Sequence, residues 1–384
     1  MAKLGELYKI TSGGTPSRNH SEYYEDGTIP WVKTGDLKGK YLFETDEKIS
    51  QLGLENSSAR IYLKNTVLLA MYGATIGATS ILKIDAATNQ ACAAFSPRED
   101  ILPEYLYAFL ESQKDRFIKD AVGGAQPNLS AGYLKNIEFN YPPLVQQTKI
   151  TSTLNKIDEL LLLRKQQLAK LDELVKARFV EMFGDPQENP RMWNKTVLSN
   201  LIINANNGLT RRGCDADGQI VLRLVELQNG RIDYSSPNRM VLNDNEKKKY
   251  LLSENDLLFA RVNGNPENVG RCAVFHEIQE PVYHNDHIIR VHLNETVLDG
   301  KFAEVILNSL YGKRQMRQKI KTSAGQYTIS QDGINELSVI APPISIQHKF
   351  SEYVKRIDQQ KQTVQRSLEK LELMKKALMQ EYFG

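Results

Sequence analysis

Arg261, Asn263 and Asn265 are the residues whose types and spacing most clearly indicate a chemistry. They alternate through a short turn that closes the apolar run 256–262 and contains Gly264. Arginine makes bidentate hydrogen bonds to guanine, and asparagine makes them to adenine. The turn therefore predicts hydrogen-bonded recognition of base edges, with no covalent chemistry of its own.

The motifs of the relevant catalysts are missing. An adenine methyltransferase needs a Phe-x-Gly-x-Gly turn and an Asn/Asp-Pro-Pro-Tyr/Phe loop, whereas Asn140-Tyr-Pro-Pro143 has those residue types in the wrong order. No Gly-x4-Gly-Lys-Ser/Thr sequence occurs, which excludes a motor ATPase. Nuclease motifs of the Asp…Glu-x-Lys type are too short to exclude by inspection, and none has a convincing strand context. We expect a non-catalytic chain.

Metal, disulfide and membrane chemistry are also not indicated. Cys92, Cys214 and Cys272 form no Cys-x-x-Cys pair, so we expect reduced thiols. His284 and His287 lack carboxylates or cysteines at a matching spacing, which argues against zinc. No apolar run approaches the roughly eighteen residues of a membrane span, and no secretory signal precedes the first domain. These features predict a cytoplasmic protein.

Charge is balanced in both halves of the chain. Residues 1–142 contain 15 Lys and Arg against 17 Asp and Glu, and residues 185–340 contain 19 against 19. A protein that held DNA tightly alone would neutralise many phosphates with basic side chains. If this chain binds DNA, either its positive groups are focused on one face or a partner provides most of the contact with the backbone.

The elements that position these residues are duplicated. Residues 142–184 align without a gap on residues 342–384, at a constant offset that pairs Gln147 with Gln347 and Asp158 with Asp358. Matches over some forty positions indicate an internal repeat. A weaker repeat extends upstream, where Asn89 matches Asn285. Each half is therefore a divergent globular domain followed by a similar helix.

Both repeated segments show a heptad pattern that starts after a proline pair. Such a pattern over four heptads predicts a coiled coil, and chain connectivity predicts that the two helices run antiparallel. About 35 residues at ~1.5 Å each give a rod of roughly 50 Å. The predicted coiled-coil and partner-docking residues are Ile157, Leu161, Leu168, Leu171, Ile357, Val364, Leu368 and Leu371.

The globular parts combine strands and helices. Runs 66–71, 256–262 and 288–293 predict strands, and apolar residues at helical spacing predict helices over about 104–119 and 300–321. We predict an α+β fold with two globular domains separated by a long antiparallel two-helix coiled coil, a pseudo-two-fold dumbbell. The predicted boundaries are domain 1 at 1–142, spacer helix 1 at 143–184, domain 2 at 185–341 and spacer helix 2 at 342–384.

Several motifs together resemble the specificity subunit of type I restriction–modification systems, over essentially the whole chain. They are Ser12-Gly-Gly-Thr-Pro-Ser-Arg18, Ile29-Pro-Trp-Val-Lys-Thr-Gly-Asp-Leu37, Gly73-Ala-Thr-Ile-Gly77, Thr88-Asn-Gln-Ala-Cys92, Gly123-Gly-Ala-Gln-Pro-Asn-Leu-Ser130 and Met182-Phe-Gly-Asp185. The resemblance implies that each globular part is a target recognition domain for one half of a bipartite site in double-stranded DNA. The helices would set the gap between half-sites.

The resemblance also implies partners. The helices would dock two methyltransferase subunits, with or without two restriction/translocase subunits. This chain would bind no cofactor, and S-adenosylmethionine would bind the methyltransferase subunits. The second domain departs from the motifs, because Gly208-Leu-Thr-Arg-Arg212 replaces Gly-Thr-Pro and Arg261-Val-Asn-Gly-Asn-Pro266 replaces the turn at 71–77. Such differences are expected if the two halves recognise different sequences.

Candidate DNA-binding residues lie in turns, and most have a structural alternative, whereas Arg211 and Arg212 are interpreted as phosphate contacts. The loop at 13–19 also suits a tight turn, and the Asn pairs suit Asx turns. Tyr72 could equally be a buried core residue. The loops at 126–128 and 326–327 could instead fix each domain to its helix. The candidates are Thr15, Ser17, Arg18, Lys33, Thr34, Asp36, Tyr72, Thr75, Asn89, Gln90, Gln126, Asn128, Arg211, Arg212, Arg223, Arg261, Asn263, Asn265, Asn285, Gln326 and Tyr327.

Two other functions are compatible with the sequence. A stand-alone DNA-binding regulator would bind DNA tightly in isolation, which the balanced charge disfavours. A coiled-coil scaffold that binds only protein would be indifferent to mutation of Arg261 and Asn263.

Overall fold

The computed structural model describes residues 1–122, 127–228, 230–323 and 325–384. The chain forms two compact units, of which unit 1 comprises Met1–Gln166 and Gln365–Gly384, and unit 2 comprises Gln167–Val364. Both units mix helices with open sheets, so the predicted α+β class is confirmed. The dumbbell arrangement stays a prediction.

Two sheets form the body of unit 1. Val67–Ala70 and Cys92–Phe95 are buried on both faces, which explains why these strands are apolar throughout. The five-stranded sheet has the order Thr11–Ser12, Cys92–Phe95, Val67–Ala70, Thr79–Leu82, Tyr41–Leu42. The four-stranded sheet has the order Glu47–Ile49, Ile29–Val32, Ala86–Thr88, Ile61–Tyr62, and Ala2–Lys3 pairs with Glu138–Phe139.

Short helices pack around the sheets of unit 1, and Pro103–Ser112 lies against the strands Val67–Ala70 and Thr79–Leu82. Pro103 begins this helix, since proline suits the first helical turn. The core contains Phe109 and Phe139, and the Phe383 ring lies 5.3 Å from the Tyr105 ring. The helices are Leu4–Leu7, Gln51–Glu55, Pro103–Ser112, Lys114–Asp120 and Ala131–Lys135, with 3₁₀ turns at Ser21–Tyr23, Thr34–Asp36 and Gly73–Thr75.

Unit 2 repeats this plan with smaller sheets. Its four-stranded sheet has the order Ile202–Asn207, Ile288–Leu293, Leu257–Ala260, Cys272–Val274, and a three-stranded sheet has the order Arg239–Met240, Gln219–Leu222, Val282–His284. A second three-stranded sheet has the order Val262–Asn263, Gln326–Thr328, Lys321–Ser323. Two pairs complete the strands, namely Lys195–Val197 with Ser338–Ile340 and Leu227–Gln228 with Arg231–Ile232.

Capping side chains mark where the helices of unit 2 begin. Ser309 caps a new helix because its side chain accepts a hydrogen bond from the Gly312 N–H. The predicted helix over 300–321 is therefore two helices, and the predicted helix over 104–119 likewise breaks at Gln113. The helices are Asp244–Tyr250, Gly300–Asn308, Leu310–Lys319 and Gln331–Asn335, with 3₁₀ turns at Leu198–Asn200 and Pro266–Asn268.

The duplicated segments form two helices of equal length, Leu144–Phe183 and Ile344–Phe383, each of 40 residues. Their segments are antiparallel within each unit. In unit 1, Ile150 and Leu154 share a core with Tyr382 and Phe383, while the Lys375 Nζ lies 2.5 Å from Asp158 Oδ1.

In unit 2 the Phe179 and Phe350 rings lie 5.5 Å apart, and the Lys361 Nζ lies 2.5 Å from Asp172 Oδ1. Leu171, Ile357 and Val364 form a buried cluster against which Leu168 packs. In unit 1, Leu368 and Ile157 are buried, whereas Leu161 and Leu371 are half-buried. All the predicted coiled-coil residues are therefore at least partly buried.

Candidate nucleic-acid interface

Four backbone hydrogen bonds gather the turns of unit 1 at one place. The bonds tie loops that are far apart in sequence, and each continues from the end of a strand. We call residues 13–18, 32–36, 71–75, 88–91 and 128–129 the first turn cluster. Its bonds run from Gly14 N to Thr88 O at 2.9 Å, Asn89 N to Val32 O at 2.9 Å, Met71 N to Ala91 O at 2.8 Å, and Leu129 N to Met71 O at 2.9 Å.

Unit 2 makes the same four bonds between equivalent residues. We call residues 208–212, 222–226, 261–265, 284–287 and 326–329 the second turn cluster. Its bonds run from Leu209 N to His284 O at 2.9 Å, Asn285 N to Leu222 O at 2.9 Å, Arg261 N to His287 O at 2.8 Å, and Ile329 N to Arg261 O at 3.0 Å. The two halves therefore share a backbone frame on which different side chains are mounted.

Glycine is required where the first loop approaches the frame. A Cβ atom on Gly13 would lie 1.9 Å from Thr88 O, and one on Gly208 would lie 2.1 Å from His284 O. Any side chain at either position would clash with backbone, so only glycine allows this close approach. The structural equivalents are thus Gly13 and Gly208, and the side chains after them are held at the surface of each cluster.

Ion pairs organise the first cluster. Glu47, on the strand Glu47–Ile49, pairs with the Arg18 guanidinium at 2.6 Å and also with the Lys33 Nζ. Hydrogen bonds to the Glu47 carboxylate lower its pKa, and the bond from Lys33 has a larger effect than the bond from Arg18. The Arg18 guanidinium also lies 4.1 Å from the centre of the Tyr24 ring, a cation–π distance. Two basic candidates thus converge on one carboxylate.

Polar side chains beside these pairs are fixed by short-range bonds. Thr15 Oγ1 donates to Gln90 Oε1 at 2.5 Å, which joins two predicted loops. Asp36 Oδ2 accepts from the Lys33 N–H at 2.7 Å, and burial raises the pKa of this carboxyl. Asn89 Oδ1 accepts from the Ala91 N–H at 3.1 Å, so the predicted Asx turn forms. Ser17 is exposed and Thr34 is half-buried.

Tyr72 and Asn128 lie together at the edge of the first cluster. They form an antiparallel bridge, and Asn128 bridges Val122 on its other side. Tyr72 is 42% exposed, which excludes its alternative role as a core residue. Thr75 Oγ1 donates to Tyr72 O at 3.3 Å. Gln126 lies outside the described residues.

Arginine–carboxylate pairs dominate the second cluster. Arg211 makes two hydrogen bonds to Glu246, at 2.7 and 2.8 Å, and this pairing with a backbone hydrogen bond from Asn243 lowers the pKa of Glu246 to about 2. Arg212 donates to Asp286 Oδ1 at 2.7 Å. Arg223 pairs with Glu226 at 2.6 Å, and Glu226 accepts from the Arg223 N–H at 2.7 Å, as Asp36 does from Lys33.

The turn that carries Arg261 is stabilised by hydrogen bonds from its backbone N–H groups to the side chains of its own asparagines. Arg261 Nη1 donates to Asp286 O at 2.9 Å, which holds its guanidinium beside the 284–287 turn. Asn263 Oδ1 accepts from the Asn265 N–H at 2.9 Å, and Asn265 Oδ1 accepts from the Glu267 N–H at 3.0 Å. The side-chain oxygen of each Asn therefore accepts a backbone hydrogen bond within the turn and stabilises its conformation.

The remaining candidates of unit 2 differ in exposure. Asn285 is buried, and its Oδ1 accepts from the His287 N–H at 3.1 Å. Gln326 is exposed and Tyr327 is half-buried, and both lie on the strand Gln326–Thr328, where Tyr327 pairs with Asn263. This strand is equivalent to the Asn128 bridge of unit 1, because each directly precedes the residue, Ile329 or Leu129, whose N–H makes the same frame bond.

Three carboxylates that pair with basic candidates over long sequence separations are absent from the sequence-based candidates. Glu47, Glu246 and Asp286 each fix a basic candidate, and Asp286 is 74 residues from its partner Arg212. The repeat gives a signal only for the short-range pairs, since Lys33 and Asp36 have the same spacing as Arg223 and Glu226.

Metal-binding and membrane-spanning features do not occur in the part of the chain that the structure describes. Among these residues no group of three His, Cys, Asp or Glu side chains could hold a metal ion, and no helix is long and apolar enough to span a membrane. Cys92 and Cys272 are buried, and burial raises the pKa of Cys92 to about 12.

Solved structures of type I restriction–modification systems have the same fold. The S subunit of a type I restriction–modification system from M. genitalium aligns with 100% of this chain and 95% of its own, with a TM-score of 0.61 at 16% identity. A second structure, solved for the assembly and conformational transition of a type I restriction–modification system, aligns with 100% and 96%, with a TM-score of 0.60 at 15% identity.

Sequence comparison identifies the family. The model of the type I restriction modification DNA specificity domain matches residues 1–173 and 218–373, so the chain belongs to this family of DNA-recognising specificity subunits. The StySPI specificity subunit of Salmonella potsdam is 25% identical over 356 residues, 88% of this chain and 76% of that protein. The EcoKI specificity subunit of Escherichia coli K12 is 22% identical over 383 residues, 94% and 81%.

Proposed function

We propose that this chain selects the DNA site of a type I restriction–modification complex and that each turn cluster recognises one half of a bipartite sequence. The observation that carries the proposal is the shared frame of four backbone hydrogen bonds with different side chains mounted on it. A common frame lets both halves approach a DNA groove in the same way. Different side chains at equivalent positions give the halves different base preferences.

Equivalent positions differ in ways that alter base recognition. Met71 of unit 1 corresponds to Arg261 of unit 2, and Lys33 corresponds to Arg223. An arginine can donate two parallel hydrogen bonds to guanine, whereas methionine offers none. The second cluster therefore has the stronger set of guanine-reading groups, and the first cluster has Thr15, Gln90 and Tyr72 at its surface.

The long helices have two roles in this proposal. We infer that they pair as one antiparallel coiled coil, whose length sets the gap between the half-sites. The ion pairs Asp158–Lys375 and Asp172–Lys361 support this register, because the residue numbers in the two helices run in opposite directions. The helices also dock two methyltransferase subunits, since a repeated surface suits two copies of one partner.

Catalysis belongs to the partners in this proposal. The methyltransferase subunits bind S-adenosylmethionine, and two restriction/translocase subunits join them in a nuclease-active assembly in the cytoplasm. The turn clusters recognise bases, and most of their basic side chains are engaged by carboxylates, as Arg18, Arg211, Arg212 and Arg223 are.

The proposal is tested by co-expressing this chain with its methyltransferase subunit and mapping methylated adenines across the genome. We expect a bipartite motif with a fixed gap that disappears when this chain is omitted. Arg261→Ala with Asn263→Ala should relax the second half of the motif alone. A protein-binding scaffold would give a stable complex whose methylation is indifferent to this double substitution, which would refute the proposal.

A further inference from the structure

A strip of positive charge lies next to the second turn cluster. Residues 305–331 contain five basic residues and no acidic one, although residues 185–340 as a whole are balanced at 19 against 19. We define the basic strip by these five residues, which lie on the helix Leu310–Lys319 and on the strand Lys321–Ser323 that follows it. They are Lys313, Arg314, Arg317, Lys319 and Lys321.

The packing of this helix turns its basic side chains outward. Gly312 and Met316 are its buried residues, whereas Lys313, Arg314 and Arg317 are exposed. Met316 packs on Gly270, where a Cβ atom would lie 2.6 Å from the Met316 Sδ and where φ is +78°. The glycine thus lets the helix lie directly against the segment that follows the Arg261 turn.

A salt bridge joins the basic strip to the candidate recognition turn. Arg317 pairs with Glu267, whose N–H donates to Asn265 Oδ1. Lys321 and Arg261 both line a groove of about 320 Å³, and one carboxylate, Asp332, lines it with them. Positive groups therefore flank the base-recognition candidates on the helix side and continue into a groove beside them.

The bonds that now engage the strip are weak. The Arg317 and Glu267 side chains are 60% and 50% exposed, and Lys319 pairs with the exposed Glu336. Exposed ion pairs contribute little net stability and exchange readily for another anion. Phosphate groups of DNA suit this exchange, because DNA carries closely spaced charges along both strands.

Among the described residues of unit 1, the equivalent helix carries no such strip. This helix, Lys114–Asp120, packs against Gly77 as the unit 2 helix packs against Gly270. Its basic residues alternate with Asp115 and Asp120, and Arg116 pairs with Asp120 at 3.4 Å. A run of basic residues without acidic ones beside the turn cluster is thus a feature of the unit 2 helix and not of its unit 1 equivalent.

We propose that the basic strip binds the DNA phosphate backbone beside the second half-site. This inference rests on the proposed function for its location on the DNA. It assigns backbone contact to the strip and base recognition to the Arg261 turn. The second half of the chain then provides more of the sequence-independent affinity than the first half.

The test measures the salt dependence of binding to a short duplex of mixed sequence by the full-length chain. Lys313→Gln with Arg314→Gln removes two charges from the strip, and Lys248→Gln with Lys249→Gln removes two exposed charges from another helix of unit 2. Each lost phosphate contact should lower the slope of log affinity against log salt by about 0.9. When salt is raised from roughly 50 to 200 mM, the fold-loss of affinity should therefore be about ten times smaller for the strip variant than for wild type.

An unchanged slope in the strip variant, or an equal change in the Lys248/Lys249 control, would overturn the inference. The duplex of mixed sequence contains no recognised half-site. Its binding therefore tests the phosphate contacts of the strip independently of whether the turn clusters recognise a bipartite sequence. The strip variant in complex with the methyltransferase subunit should also methylate the same motif as wild type at a lower level. A changed motif would contradict the assignment of the strip to the phosphate backbone.

Discussion

Gln147 and Gln347 make the same three hydrogen bonds at the start of the two long helices. Both are fully buried. Gln147 Nε2 donates to Asp100 O and Pro142 O, and its Oε1 accepts from the Leu102 N–H, all at 2.8 Å. Gln347 bonds Val297 O, Pro342 O and the Asp299 N–H at 2.7 to 2.9 Å. One side chain thus fixes each globular part to its helix.

Gln147→Leu should destabilise the protein by about 2–4 kcal/mol, because it leaves a buried N–H and two carbonyls without partners at a cost of ~1–3 kcal/mol each, partly relieved by water. Urea denaturation measures the change. Gln146→Leu is the matched control, since Gln146 is exposed one residue earlier. A shift for Gln147→Leu no larger than that of the control would contradict the role of this side chain as the joint.

Glu47→Gln should alter recognition in the first half without changing the fold. Its carboxylate orients both Arg18 and Lys33, so its loss frees two positive side chains. We expect tighter binding to mixed-sequence DNA and loss of about 1–3 kcal/mol of discrimination at one base pair of the first half-site. Binding of the methyltransferase complex to duplexes with single-base changes measures both effects. Glu44→Gln, an exposed neighbour, should change neither quantity.

Acid should weaken the second turn cluster through His284. This residue is fully buried, and burial lowers the pKa of its imidazole to about 4. The unfolded chain takes up a proton below pH ~6.5 and the folded chain does not, so stability falls as pH drops from 6.5 towards 4. The loss should reach about 3 kcal/mol by pH 4.

Urea denaturation across this pH range measures the effect of His284. His284→Leu should remove most of the loss, even if the variant is less stable at pH 7. His20→Leu is the control, because the His20 side chain is 52% exposed. The same decline with pH in His284→Leu as in wild type would show that other groups cause it.

Removing one heptad from each long helix should shorten the gap in the recognised sequence. Deletion of residues 162–168 and 365–371 removes equal lengths between the Asp158–Lys375 and Asp172–Lys361 pairs, so both pairs can form. Seven residues span about 10 Å of helix, which corresponds to about three base pairs of DNA. Mapping of methylated adenines measures the gap. A motif with an unchanged gap would refute the spacer role of the helices.

Regular elements were predictable from the sequence because local rules determine them. The proline pairs mark where both long helices begin, at Leu144 and Ile344. The apolar run 288–293 is the strand Ile288–Leu293, and the run 66–71 contains the strand Val67–Ala70. The breaks at Gln113 and Ser309 were not predicted, since apolar residues at helical spacing occur on both sides of each break, as Leu110 and Phe117 do for the first and Ile306 and Leu310 for the second.

The clusters were predictable only in part, because long-range pairing has no local signal. The repeat located equivalent turns, and the structure joins them by equivalent backbone bonds. The partners of Arg18, Arg211 and Arg212 lie 29, 35 and 74 residues away. Nothing in the spacing of these residues distinguishes Glu47, Glu246 and Asp286 from other surface carboxylates.

The most direct test of the central claim is an exchange of residues 1–142 for the corresponding residues of another specificity subunit. The chimera is co-expressed with the methyltransferase subunit, and its methylated adenines are mapped across the genome. If each turn cluster recognises its own half-site, one half of the motif will change while the other half and the gap are retained. A motif that changes in both halves, or in neither, would contradict the account.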